Sequence, residues 1–413
     1  MRPLQGKRVC LSHPYNIAYD VRLIKSVRAL QDAGAEVSIM VRRYESPSDT
    51  LYHDLCEIVE VDTIADPAPV RNSQHRIWLI KVLWNLLIYE PLRRLSAKKA
   101  NPNIIAGFAE EMIRRDFDIV HFTDYVSAPE AVRMKVLSDI PVVYESYEYS
   151  PTVIKSVHDE SDEVRYYCET EIKAMDRADA VIVVGEEIRQ KYQEQTKNRN
   201  LHVVFNTPPC EPLQPQSVHR PMRFYFQSII RPGYGLEMLI DAFTLVQGDW
   251  ELAIQGPNAY PKYKKELERL IASKGLEDKI SFPEPVTSYE VVEEANKHDV
   301  GVLLIPSVQG GSVHENARYA LPNKFFVYAN AGLAMVLGDY IAMKRLIDAA
   351  GAVAWVDELS IDDVAEKIQA LVDDPSRVKR MKHASFDWAR DYTVKQSLGQ
   401  IRETFISTGA DSA

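Results

Sequence analysis

Residues Glu315 to Val336 read ENARYALPNKFFVYANAGLAMV. A polar loop leads into Leu321-Pro322-Asn323-Lys324, followed by an apolar helical run, then Ala331-Gly332-Leu333-Ala334 and a short hydrophobic strand. Proline suits the first turn of a helix, where its missing N–H is not needed, and glycine suits the residue that ends one. Phe325, Phe326 and Ala329 supply the apolar stripe between them. The stretch therefore reads as a loop–helix–turn–strand unit. A helix N-terminus beside a lysine favours negative charge, because unpaired N–H groups and the helix dipole point the same way. A diphosphate is expected here.

Working outward, the same alternation fills the chain. In the first half, strands are expected at Arg8–Leu11, Val37–Val41, Ile119–Phe122, Val142–Glu145 and Ala180–Val184, with a helix from Val21 to Ala33 that ends at Gly34. In the second half, strands are expected at Arg223–Gln227, Glu251–Gln255, Ile280–Phe282, Gly301–Ile305 and Ala334–Leu337. Helices fit Leu236–Val246, Tyr263–Ser273, Tyr289–His298 and Ile361–Val372. Strand–helix alternation of this kind argues for parallel sheets covered on both faces. Between the halves stand Pro208, Pro209, Pro212, Pro215 and Pro221, which read as a linker. The expected organisation is an N-terminal domain at 1–205, a linker at 206–222, a second domain at 223–385 and a closing helix at 386–408. Ligands in such sheets bind beyond the carboxyl ends of the strands.

Composition narrows the function. The 413 residues, 46% hydrophobic, suffice for two domains, and the formal charge of −10 argues against nucleic acid. Cys10, Cys56, Cys168 and Cys210 are scattered without a C-x-x-C pair, so neither a zinc site nor a disulfide framework is suggested. No apolar leader or membrane span stands out, and a cytoplasmic location is expected. Residues 71–99 break the acidic trend, with seven basic residues against Glu90 and an Ile77–Tyr89 core rich in Trp, Leu and Ile. That segment reads either as a helix packed on its own sheet or as a contact with the membrane surface.

The opening segment resembles the donor-site signature of the retaining, nucleotide-sugar-dependent glycosyltransferases of the group 1 type, whose GT-B architecture sets two Rossmann-like domains across a cleft. Asn323 and Lys324 fit that signature. Val327 stands where relatives carry a Glu that binds ribose hydroxyls, and Tyr319 stands at their other acidic position, with Glu315 nearby to serve in its place. Gly310 and Gly311 would belong to a loop over the donor sugar. The turn Ser228–Glu237 resembles the family's G-R-G-L-E region, with Tyr234 at the basic position. Arg231 stands three residues earlier, where its guanidinium can pair with phosphate, and Gly233 and Gly235 allow close backbone approach.

Three further segments carry the resemblance. Asp118-x-x-His121-Phe122-Thr123-Asp124 looks like the family's D-x-x-H-x-H-D/E segment, with Thr123 replacing the second His. Tyr144-Glu145-Ser146-Tyr147-Glu148 is similar to Y-D-x-H-E. Asp20-x-Arg22 opens the first helix, where Asp20 is either an ordinary cap or an acceptor contact.

The resemblance implies a transferase, hexosyl or related, that moves a sugar from a nucleotide-sugar to a glycan or lipid-linked acceptor with retention, as in polysaccharide biosynthesis. It implies catalytic groups at His121, Asp124 and Glu315. Donor contacts would fall at Ser228, Arg231, Gly233, Tyr234, Asn323, Lys324, Gly310 and Gly311, and acceptor contacts at Asp20, Arg22, Glu145, Tyr147 and Glu148. No metal or other cofactor is expected, since cations and helix N-termini would stabilise the leaving diphosphate; the protein would be cytoplasmic, and peripheral at the inner face of a membrane if 71–99 makes the membrane contact and is not a helix packed on its own sheet. The departures at Val327, Tyr234, Thr123 and Tyr147 leave two explanations open: a retuned donor site, or a non-catalytic GT-B partner of an active glycosyltransferase.

Overall fold

The computed structural model describes residues 2–14, 21–42, 55–61, 107–157, 161–287, 289–305 and 318–409. The chain divides into two compact units: Met1–Val204 with Leu398–Ala413, and Phe205–Ser397. The basic segment 71–99 lies outside the described residues.

The first unit holds strands β1 (Arg8–His13), β2 (Glu36–Arg42), β3 (Glu57–Val61), β4 (Ile119–Thr123), β5 (Val142–Ser146), β6 (Ala180–Val183) and β7 (Leu201–Val203). They form one parallel sheet in the order β3-β2-β1-β4-β5-β6-β7. Its described helices are α1 (Val21–Asp32), α2 (Phe108–Arg114), α3 (Ala128–Leu137), α4 (Ser150–Val157), α5 (Ser161–Arg177) and α6 (Glu186–Gln193). Strands β4, β5 and β6 are buried along their whole length. This accounts for their continuous apolar runs in place of alternation.

The second unit repeats the plan with β8 (Met222–Gln227), β9 (Trp250–Gln255), β10 (Ile280–Ser281), β11 (Val300–Leu303), β12 (Ala334–Gly338) and β13 (Val353–Val356). Their order is β10-β9-β8-β11-β12-β13, again all parallel. The helices are α7 (Leu236–Phe243), α8 (Pro261–Ser273), α9 (Val291–Asn296), α10 (Asn323–Asn330), α11 (Ile341–Ile347), α12 (Ile361–Asp373) and α13 (Pro375–Ala389), followed by α14 (Val394–Gly409). One core layer, with Phe224, Phe243, Trp250 and Ile368, lies on one face of the sheet; another, with Phe325, Phe326, Tyr328 and Met343, lies on the other. Both sheets reverse winding next to their first strand, at β1/β4 and β8/β11. In such sheets the crevice at that reversal is where ligands settle.

The structure adds three edge strands that the sequence reading did not place, β3, β7 and β13, and differs from it in three further places. The proline-rich stretch is not a free linker but part of the second unit. The Leu213 N–H donates to Asn330 O at 2.7 Å, Asn296 Nδ2 donates to Gln214 O at 3.0 Å, and a Cβ on Gly332 would meet Pro215 at 3.0 Å. Prolines lose donors, but the residues between them keep theirs and anchor the segment. The expected closing helix is two helices. N–H groups of Asp391 and Tyr392 bond back to Trp388 and Ala389, and α14 restarts after Thr393. Helix α7 stops at Phe243 because the Thr244 hydroxyl bonds Asp241 O at 2.6 Å, a local alternative to the helical ladder.

A buried staple fixes the second unit from below. Asp299, fully buried, accepts from Lys382 Nζ at 2.9 Å, from the Arg223 N–H at 3.0 Å and from the His219 N–H at 3.2 Å. Burial pulls the Lys382 ammonium down in pKa, and Asp299 opposes that shift.

Candidate functional site

In the second unit, the carboxyl end of β8 runs into a loop, Ser228 to Gly235, before α7 begins. Gly235 caps that helix with φ 74°, and Gly233 has φ 85° with open space where a side chain would stand. Ser228 is held in place by its own N–H, which donates to Gln255 O at 3.0 Å, and by Gly256 packed beneath it. A Cβ on Gly256, whose φ is 152°, would lie 1.9 Å from Ser228 O. Gly256→Ala is therefore expected to push this loop off β9 and lower stability by about 2–3 kcal/mol, read as a fall in Tm.

Opposite that loop stands α10, capped by Pro322, with Asn323 half-buried in its first turn. Lys324 follows, 9% exposed, its Nζ donating to Ser228 Oγ at 2.8 Å. Two rings flank the ammonium, Tyr234 at 4.6 Å and Phe226 at 5.6 Å from Nζ to centroid. Arg231, exposed at the loop tip, places its guanidinium carbon 4.8 Å from the same Tyr234 ring. Among the described residues Lys324 pairs with no carboxylate. Burial pulls its pKa down to about 7, and the Arg231 charge pushes the same way. Two cations and a helix N-terminus thus converge where no anion of the described chain balances them. Ser228, Arg231, Gly233, Tyr234, Asn323 and Lys324, six of the expected donor residues, lie on the two segments that meet here. Gly310, Gly311 and Glu315 lie outside the described residues.

Val327, one turn along α10 from Lys324, is 5% exposed within the apolar core. Tyr328 beside it accepts from the Gln227 N–H at 2.9 Å and donates to Val302 O at 3.1 Å, bridging β8 and β11. Its ring occupies the space a Cβ on Gly301 would take, at 2.5 Å. The helix is thus seated directly over the winding reversal of the sheet.

In the first unit, the expected residues gather at the ends of β4 and β5. Asp124 follows β4 with φ 68° and ψ 156°, a conformation costly for any residue with a Cβ, and its N–H donates to Glu145 O at 2.8 Å. Arg22, at the start of α1, stacks its guanidinium 3.5 Å from the centroid of the Tyr147 ring. Glu148 is exposed beside it. Thr123 donates to Ser12 O at 3.2 Å, joining β4 to β1. Asp20 lies outside the described residues.

Two of the expected residues lie deep in the unit. His121 is 1% exposed, with Nε2 3.1 Å from Glu145 Oε2 and its ring 5.7 Å from Phe405. The approach is close but not aligned as a hydrogen bond. Both side chains are buried, as is the Tyr147 side chain that follows them. The reason is register: Thr123 pairs with Glu145 across the sheet, which sets His121, two residues before Thr123, on the same covered face.

Glu171 was not foreseen. It sits on α5, fully buried, and gathers four hydroxyls: Ser150 Oγ at 2.7 Å, Ser146 Oγ at 3.0 Å, Tyr192 OH at 3.1 Å and Tyr144 OH at 3.3 Å. Tyr192 OH also accepts the Ser150 N–H at 3.0 Å. Burial raises the Glu171 pKa to about 7, against the lowering effect of the Ser150 and Ser146 hydrogen bonds. The network ties down both ends of the loop that carries Tyr147 and Glu148. A sequence signal exists, since Glu171 falls in the stripe Tyr167, Ala174, Met175 of α5, and an acid inside an apolar stripe is rarely left without partners.

No group of three His, Cys, Asp or Glu side chains is placed to hold a metal ion among the described residues. Within those residues no helix is long and apolar enough to cross a membrane.

Comparison with known proteins gives a family for each part of the chain. Residues 21–207 match the family described as Glycosyl transferase 4-like domain, and residues 222–374 match Glycosyl transferases group 1. No curated protein matches in sequence. Similar solved structures include a sucrose-phosphate synthase from Thermosynechococcus elongatus, 13% identical, covering 98% of this chain and 100% of that one with a TM-score of 0.68. Anabaena HepE in complex with UDP is 13% identical over 97% and 99% of the two chains, with a TM-score of 0.69. A glycosyltransferase from Rickettsia africae is 12% identical over 98% and 99%, with a TM-score of 0.68. At such identities the likeness establishes the fold.

Proposed function

We propose that this glycosyltransferase, built from a 4-like domain and a group 1 domain of GT-B architecture, moves a sugar from a nucleotide-sugar donor to a glycan or lipid-linked acceptor with retention. The observation that carries the donor assignment is Lys324: a buried ammonium whose hydrogen-bond partner is a serine hydroxyl, at a helix N-terminus, beside a second cation. Such a site is costly when it holds no anion and strongly favourable when a diphosphate enters. The fold neighbour HepE, in complex with UDP and with UDP-glucose, supports a nucleotide-sugar as the anion.

In this reading Lys324, Arg231 and the N–H groups of α10 stabilise the negative charge that grows on the departing diphosphate, and Ser228 orients Lys324. Asn323 and the Gly233 backbone complete the donor contacts. Asp124, Arg22, Tyr147 and Glu148 face the acceptor hydroxyls, where carboxylates accept strong hydrogen bonds, while His121 and Glu145 hold the strand ends beneath them. The charge on the leaving group is carried by protein cations without a metal.

Isothermal titration with UDP, GDP, ADP and dTDP, with and without Mg²⁺, tests the reading. Micromolar binding of one nucleotide, unchanged by Mg²⁺, is expected. A folded protein that binds none of the four would favour the second reading, a non-catalytic partner of an active glycosyltransferase, for which the buried Val327 is the specific observation. Val327→Glu separates degraded from retuned: a gain in affinity indicates a degraded ribose contact, a loss indicates a pocket rebuilt around valine.

A further inference from the structure

We propose that Tyr234 is the positioning residue of the anion site, holding Arg231 beside Lys324 so that two cations meet one diphosphate. The inference rests on the donor reading given above. It adds what the exposed Arg231 lacks on its own: a reason to be at the site at all.

An arginine at the tip of a glycine-flanked loop has many rotamers, and a neighbouring ammonium repels it. Among the described residues no carboxylate is paired with Arg231, and the group set against that repulsion is the Tyr234 ring. Its centroid lies 4.8 Å from the Arg231 guanidinium carbon and 4.6 Å from Lys324 Nζ, both within the range at which the negative face of an aromatic ring attracts a cation. The ring itself is not free to wander. It is half-buried and packs against the core layer of Phe224, Phe226 and Leu236, and it stands between Gly233 and Gly235, where the backbone turns into α7. One neutral, fixed group therefore satisfies two cations before any ligand arrives. A lysine or arginine at this position would add a third positive charge to an enclosed site; the tyrosine lets Arg231 supply that role from three residues away.

The assignment makes Arg231 and Tyr234 act as a unit. Arg231→Ala is expected to weaken the nucleotide that binds best from the panel of UDP, GDP, ADP and dTDP by about tenfold, as for the loss of one phosphate-pairing cation. Tyr234→Leu, which keeps apolar packing but removes the ring face, is expected to weaken it by a similar factor, and the double variant by no more than either single one. Tyr234→Phe, which keeps the ring, is expected to bind within about twofold of the wild type, with all variants keeping the wild-type Tm within a few degrees. A double variant whose loss is the product of the two single losses overturns the inference, as does a Phe variant as weak as Leu. Binding by none of the four nucleotides to the wild type would instead overturn the donor reading, so the two failures are distinct.

Discussion

Lys324→Ala is expected to weaken nucleoside diphosphate binding by about 100-fold or more, the scale seen when one partner of a desolvated charge pair is removed. The same position is expected to behave in the opposite way toward stability. A buried ammonium whose pKa falls to about 7 costs the fold free energy wherever the unfolded chain is protonated, which for lysine is below about pH 10. The sign follows: the penalty is complete below pH 7 and disappears as pH rises toward the unfolded value. Lys324→Met should therefore raise the stability of the ligand-free protein at pH 7, on the order of 2–4 kcal/mol, while nearly abolishing binding. A structural lysine would do neither, and a variant that both loses stability and keeps its nucleotide would remove Lys324 from the site.

The depressed pKa also predicts how wild-type binding responds to pH. A diphosphate pairs with the protonated amine, so binding draws a proton onto Lys324 whenever the free site is above its pKa. Affinity should fall by about tenfold per pH unit above 7, in a window where phosphate, with a second pKa near 6, has already ionised. Titrations in buffers of different ionisation enthalpy measure the proton uptake directly. Uptake that persists in Lys324→Arg, which stays protonated throughout, would place the titrating group elsewhere.

How much of this was readable in the chain depended on what kind of signal each element carried. Pro322, the Phe325–Phe326 stripe and Gly332 announced α10 and its exit, because backbone restrictions and periodicity are local properties; the helix begins at Asn323 and Gly332 adopts φ 62° as a terminating glycine does. Ten of the thirteen strands followed from short apolar runs, while β3, β7 and β13, all at sheet edges, were not foreseen. Side-chain direction did not. His121 and Glu145 looked like strand-end polar groups facing a ligand, and only the pairing of β4 with β5 shows that they share a covered face. The meeting of Arg231, Tyr234 and Lys324 joins residues about 90 apart in sequence, and the pivot was the tyrosine that seemed to spoil a basic motif. The prolines of 206–221 suggested a linker because composition records what those residues lack, not what their neighbours bond to.

Glu171 shows the same limit from the other side, and its removal is expected to have the second large effect. Glu171→Ala takes the common partner from four hydroxyls and opens a cavity in the first unit; as for the removal of one partner from a buried polar network, a loss of about 3–5 kcal/mol is expected. Hydrogen exchange at residues 146–150 should speed up first, because that loop is tied to Glu171 through Ser146 and Ser150 and to Tyr192 through the Ser150 N–H. The pH dependence has a defined sign. A carboxyl whose folded pKa is raised to about 7 contributes stability that is complete below the unfolded value near 4 and is lost as pH rises through 7. Glu171→Gln keeps the shape and cannot ionise, so relative to wild type it should gain up to ~3 kcal/mol between pH 5 and 8. Denaturation of the wild type and the Gln variant at those two pH values measures the difference. Equal pH dependence in the two proteins would mean that the four hydroxyls hold the folded Glu171 at its unfolded pKa, and the loop carrying Tyr147 and Glu148 would then be clamped by charge from about pH 5 upward rather than loosened towards neutrality.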